Sequence, residues 1–212
     1  MPDIAFPAGA ELDGEAEAAL ACVLASARHC THCAPYLPLG PQPVVRGRAS
    51  ARLMILSQAP GTRAHETGLS FNDRSGDRLR DWLGLDRDSF YDERRVAIMP
   101  MGFCYPGRGA KGGDLPPRRE CAPLWHERVL QHLPRLELIL LVGSYAITYY
   151  LKPHYLKPGT GMTGTVARWR EFLPRYLPLP HPSWRTTVWE RRNPWFEAEL
   201  LPDLRRRVAA LT

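Results

Sequence analysis

The sequence predicts an α/β protein: one domain over residues 1–212, built as three layers with helices on both faces of a central four-stranded parallel sheet, and with residues 1–14 as a flexible arm. Three observations predict it. Four short strand-like runs, Leu53–Leu56, Arg95–Met99, Leu138–Val142 and Leu177–Pro180, alternate with stretches whose apolar residues recur at helical spacing. The runs are short and mostly apolar, as strands inside a helix-covered sheet are. At 212 residues the chain can bury one sizeable core, and nothing in its composition demands a second.

Each element has its own reason. Glu15–His29 reads as a helix with Leu20, Val23 and Leu24 on one face, and Ala34–Ser50, rich in proline and glycine, resists regular structure. Leu53–Leu56 is a buried strand ending in Ser57-Gln58-Ala59-Pro60-Gly61, a turn that puts polar groups at a strand's carboxyl end, where open α/β sheets hold ligands. A loop carrying His65, Glu66, Phe71 and Asp73 follows; Ser75 is the expected N-cap of a helix whose inner face is Leu79, Trp82 and Leu83. Arg95–Met99 is the second strand, and Gly102–Pro117 is a long glycine- and proline-rich loop of the kind that is either functional or tied down. A helix over Arg118–Leu133 should bury Leu124, Val129, Leu130 and Leu133. Leu138–Val142, the most apolar strand, turns through Gly143-Ser144 into a helix to Tyr150; another helix spans Thr163–Leu173. The last strand ends at His181-Pro182-Ser183, and Asn193–Leu211 closes the fold as a helix interrupted near Pro202. The active face is expected where Gln58, Pro100 and His181 emerge together.

Charge and cysteines narrow the function. No run approaches the roughly 20 apolar residues that cross a bilayer, and the acidic N-terminus lacks the order of a signal peptide, so a cytoplasmic protein without membrane contact is expected. The 28 Lys and Arg against 22 Asp and Glu give +6, unevenly: residues 1–27 hold five acids and no base, while arginines crowd the chain from Arg168 onward. That distribution suits a phosphate-bearing partner, or simply a solvated arginine-rich surface. Cys30-x2-Cys33, 70 intervening residues, then Cys104-x16-Cys121 is a metal or cluster pattern, or a set of buried or redox thiols. Zinc and a four-iron, four-sulfur cluster both take four thiolates. Cys22, mid-helix, is a small core residue.

At this point the motifs carry a family likeness. Ser57–Gly61 resembles the first motif of the uracil-DNA glycosylase superfamily, Gly-x-x-Pro-Gly, and Leu179–Ser183 resembles its His-Pro-Ser motif. Gly68–Phe71 is similar to the stretch supplying the family's stacking phenylalanine, and Asp73–Asp77 to the Asp-x-Ser-Gly-Asp run of its fifth, broad-specificity family. The cysteine frame resembles the cluster-binding frame of the fourth and fifth families, so that the likeness runs over about 155 residues, Cys30 to Ser183. Four positions depart from the pattern. Ser57 replaces the opening glycine; neither Gln58 nor Ala59 supplies the carboxylate other members carry there; and Pro100 stands where members that read uracil tightly place an asparagine.

The resemblance implies a monomeric, monofunctional DNA glycosylase that hydrolyses the N-glycosidic bond of uracil or a related deaminated base in DNA. The base would be flipped out and stacked on Phe71, whose alternative is an ordinary core aromatic. His181 would donate to the base carbonyl oxygen with help from the backbone of Gln58 and Ala59, and Asp73 would align water and stabilise the sugar, unless it is only a helix-terminal carboxylate. Ser183, Trp184, Arg185, Arg191 and Arg192 would hold the DNA, with Trp184, Arg185 or Trp189 as a wedge, unless the tryptophans merely pack the last helix. Cys30, Cys33, Cys104 and Cys121 would bear a 4Fe-4S cluster, with zinc as the alternative. Two rival functions remain: a weakly catalytic or non-catalytic nucleic-acid-binding member of the same fold, and a zinc-bearing α/β hydrolase acting elsewhere.

Overall fold

The computed structural model describes residues 12–212, apart from 111, 153–154 and 157–158. Helix α1 (Leu12–Arg28) starts three residues before Glu15. The last residues of the expected arm, 12–14, are therefore helical, and the rest of that arm lies outside the described residues. The Pro- and Gly-rich segment after it is irregular, as its composition predicts, except for a single 3₁₀ turn over Ala34–Tyr36. At Arg46 it makes an antiparallel bridge to Ile98. Arg46 N donates to Ile98 O at 3.0 Å and Ile98 N donates back at 2.8 Å, so part of a sheet edge is covered from within the chain.

Strand β1 (Leu53–Ser57) is buried along its whole length. Three short helices follow, α2 (Thr62–Thr67), α3 (Arg74–Leu83) and α4 (Arg87–Tyr91), before β2 (Val96–Pro100). Then come α5 (Cys121–Leu130), β3 (Leu138–Val142), α6 (Ser144–Leu151), α7 (Met162–Ala167) and β4 (Tyr176–Leu179). The chain closes with α8 (Thr186–Arg192), one π-helical turn over Phe196–Leu200 and α9 (Leu201–Leu211). All four strands are parallel, in the order β2-β1-β3-β4. The connections leaving the neighbouring strands β1 and β3 thus travel in opposite directions along the sheet, which opens a crevice at their carboxyl ends.

The predicted three-layer α/β class is the observed one. Leu20 and Leu24 of α1 meet Val129 of α5 and Leu133 just beyond it, over Met54, Ala97 and Met99 of the sheet. Elsewhere α3 packs on α9, with Trp82 edge-on to Phe196 at 5.1 Å between ring centroids. The buried apolar side chains form one continuous cluster from Leu20 to Val208. No helix among the described residues is long and apolar enough to cross a membrane.

The differences from expectation are local. His65 sits in α2, with Glu66 beside it, rather than in a loop. The N-cap of α3 is Asp73, not Ser75: the Asp73 carboxylate accepts from Gly76 N at 3.0 Å, and the aspartate therefore takes the cap two residues earlier. Leu124 is exposed, and Trp125 and His126 take the inner face of α5. Thr163–Leu173 splits into α7 and a 3₁₀ turn, Trp169–Phe172. Pro202 does not break α9 but occupies its first turn, where a missing N–H matters least. Trp184–Arg192, expected as a loop, contains α8.

Candidate active site

A polar cavity of about 440 Å³ opens at the carboxyl ends of β1 and β4. Its floor is the turn after β1, where Ser57 O accepts from Met101 N at 2.8 Å and Gln58 O from Gly102 N at 3.1 Å, so the turn is tied to the segment leaving β2. Gln58, Ala59, Phe71, Asp73, His181, Ser183, Trp184 and Arg185, all singled out from sequence, line this one space.

His181 leaves β4 beside the carboxyl end of β3. Gly143, at φ +89°, lets the chain pass there; a Cβ on it would lie 3.5 Å from that of His181. The His181 carbonyl accepts from Ser183 N at 2.8 Å and from Thr186 Oγ1 at 2.5 Å, so the residue is held by the start of α8. Burial lowers the imidazole pKa against the opposing pull of Asp73 and Asp114. The ring is neutral at pH 7 and can donate one N–H.

Phe71 adopts φ +58°, a left-handed conformation rare for an aromatic residue. Arg80 Nη1 donates to its carbonyl at 3.2 Å, Tyr91 Oη donates to Ser70 O at 2.8 Å, and its ring meets Phe90 edge-on at 6.1 Å. The ring is half-buried at the cavity wall. Asp73 lines the same wall as an exposed side chain, one of whose oxygens is held by the cap.

Arg108 and Asp114 were not singled out from sequence. They face each other across an antiparallel bridge in a small hairpin inside the Gly102–Pro117 loop, and both line the cavity. Asp114 is exposed as a residue, yet its Oδ2 lies 3.5 Å from where a Cβ on Gly61 would be. Burial raises its pKa, against Arg108 and His181. An aspartate among glycines reads as a turn residue, so the only hint in the sequence was the loop's length.

Other candidates fall outside the cavity. Pro100, the last residue of β2, is buried, and its carbonyl faces His126 Nε2 at 3.1 Å instead of the cavity. Arg191 and Arg192 are exposed in the last turn of α8. Trp189 donates to Thr163 Oγ1 at 2.7 Å and packs edge-on against Trp195 and Phe196, as the reading in which it packs the last helix expects. Trp184 is 78% exposed at the cavity rim, with the Arg185 guanidinium 5.4 Å from its ring centroid.

Cys30, Cys33, Cys104 and Cys121 line a second, smaller pocket with Leu37, Phe103 and Trp125. Phe103 N donates to Cys121 Sγ at 3.3 Å. Burial pushes the Cys104 thiol up to about 11 and Cys121 to about 12, and also raises Cys33 against a hydrogen bond from Arg118. Trp125 Nε1 and Arg118 Nε are buried without a partner, and both residues line this pocket. Among the described residues no three His, Cys, Asp or Glu side chains stand close enough to grip a single metal ion. Four thiols and two unpartnered N–H donors around one apolar pocket have the donor chemistry of a thiolate-bound group.

The family model described as the uracil DNA glycosylase superfamily matches residues 44–205, about three quarters of the chain.

Proposed function

The chain belongs to the uracil DNA glycosylase superfamily, and from that premise we propose that it hydrolyses the N-glycosidic bond of uracil and related deaminated bases in DNA. The observation that carries this reading is the convergence of a neutral, half-buried His181, the Phe71 ring and two aspartates on one cavity of a flipped base's scale. Phe71 stacks on the base. His181 donates to a base carbonyl oxygen as negative charge develops there, and a neutral ring supplies this without first losing a proton. Backbone N–H groups of the turn at Gln58 and Ala59 reach the same oxygen, so the turn acts without a charged side chain.

The base preference is broad. An asparagine at the Pro100 position would read uracil by paired hydrogen bonds, whereas here that backbone is engaged by His126. Trp184 enters the duplex as the wedge, with Arg185 on the phosphates; Arg191 and Arg192, further along α8, extend the basic face. A binding-only member is the second reading, favoured by the Asp73 carboxylate serving as a cap.

Single-turnover assays on oligonucleotides bearing uracil, hypoxanthine or xanthine separate the two readings. We expect cleavage of more than one base, a loss of about 100-fold to 1000-fold in His181→Ala, and DNA affinity changed only a few-fold. Affinity without cleavage of any base would establish the binding module.

The four cysteines hold a 4Fe-4S cluster. Cys30, Cys33, Cys104 and Cys121 would hold it and so cross-link the segment after α1 to the loop after β2, with Phe103 N–H on Cys121 Sγ and the Trp125 and Arg118 donors beside the thiolates. Protein purified without oxygen is expected to be brown, with about four irons per chain, and Cys121→Ser to lose the colour and lower Tm. Colourless protein with about one zinc per chain would replace the cluster with zinc.

A further inference from the structure

We propose that Asp114 is a catalytic carboxylate of this site, holding the attacking water against the sugar from a glycine-rich hairpin that lines the cavity beside the turn after β1. The inference rests on the glycosylase reading above and deepens it.

The hairpin is built to deliver this side chain. Leu115 N donates to Gly107 O at 2.8 Å and Gly109 N to Gly113 O at 2.9 Å, closing the two short arms. Gly112 and Gly113, at φ +78° and +83°, make the turn that other residues resist. Asp114 follows directly, paired with Arg108 across the bridge. Its Oδ2 reaches the turn after β1, in ordinary van der Waals range of a Cβ on Gly61. The carboxylate missing from the turn's own sequence is thus brought to it from a different loop.

The other acid is less available. One oxygen of Asp73 is held by Gly76 N at 3.0 Å as the cap of α3. Among the described residues no hydrogen-bond donor is bound to the Asp114 carboxylate, and His181 and Asp73 both act on it through the cavity. Partial desolvation of its carboxylate at the cavity raises its pKa, which makes it a better proton acceptor than a fully solvated aspartate. In the step itself, the bond from C1′ to the base nitrogen breaks with its electron pair on the base, where His181 steadies the charge. The water oxygen bonds to C1′, and its proton passes to Asp114 and on to solvent; the base anion is protonated from solvent.

The test is single-turnover cleavage of the best substrate by wild type, Asp114→Asn, Asp114→Ala and His181→Ala, with DNA affinity and Tm measured for each. Asp114→Asn is expected to slow cleavage by about 100-fold with affinity within a few-fold and Tm unchanged. Added formate, which places a carboxylate in the space vacated in Asp114→Ala, should recover part of that variant's rate and none of that of His181→Ala. If Asp114→Asn cleaves within about 3-fold of wild type while His181→Ala is slow, the glycosylase reading stands and Asp114 has no catalytic part. If Asp114→Asn and Asp114→Ala are both slow but formate recovers nothing and Tm has fallen, the aspartate braces the hairpin and the proposal fails. A wild type that cleaves no base removes the reading and this inference together.

Discussion

Phe71 holds a left-handed backbone conformation that costs a residue with a Cβ on the order of 1–2 kcal/mol, and its neighbours show why the conformation persists. Gly76 in the first turn of α3 lies so close that a Cβ there would come within 1.7 Å of Phe71 O. Asp73 caps Gly76 N, while Arg80 and Tyr91 bind the carbonyls of Phe71 and Ser70. The loop is held from both sides, with its ring presented to the cavity. Gly76→Ala therefore sets two principles against each other. Helix propensity alone predicts a gain of about 1 kcal/mol, since alanine is the better helix former; the contact with Phe71 O predicts that the loop must move and that α3 loses its cap. We expect the contact to win, with Tm lowered and single-turnover cleavage reduced by at least about 10-fold through poorer capture of the base. A variant that is both more stable and fully active would show that the ring's placement does not depend on this packing.

Elements that carry a periodic or compositional signature could be read from the sequence, and those positioned by distant partners could not. β3 matches its predicted span, and β1, β2 and β4 differ from theirs by one residue at one or both ends, because strands covered on both faces must be apolar along their length. The cysteine pattern was legible because spacing survives any fold, and the four do line one pocket. Helices α2, α4 and α8 span two turns or fewer, too short for a 3.6-residue period to show. Their stability comes from contacts far along the chain. Arg78 of α3 donates to Ser183 O at 3.2 Å and Thr187 Oγ1 at 2.9 Å and pairs with Glu190, which joins the helix behind Phe71 to the one behind His181. Nothing local to Arg78 announces that strut. The candidate site divides the same way: Gln58 and His181 follow strand ends and Phe71 lies in a stretch with a family likeness, so these could be found, whereas Asp114 acquires its meaning only when the hairpin folds back on Gly61.

At the scale of the whole molecule, His126 lies where α5, β2 and α6 meet. Its Nδ1 is 2.7 Å from Tyr150 Oη and its Nε2 3.1 Å from Pro100 O, and its ring stacks on Phe103 at 5.9 Å. Burial depresses its pKa from 6.5 to about 4, so the folded protein keeps it neutral. The unfolded chain takes up a proton as pH falls through about 6.5 and the folded protein does so only near 4. Stability therefore carries the full contribution of this group above about 6.5 and loses it between there and about 4, in total on the order of 3 kcal/mol. His181, lowered for the same reason, adds loss of the same sign. His126→Gln keeps hydrogen-bonding capacity but cannot titrate. It should melt below wild type at pH 7, because it fills the site less well, and the gap should narrow as pH falls. From pH 6.5 to pH 5 the narrowing amounts to about 2 kcal/mol, or roughly 5 °C in Tm for a chain of this size. Melting curves of both proteins across that range decide the matter: a gap that stays constant with pH would mean that the charge at position 126 is tolerated in the folded core.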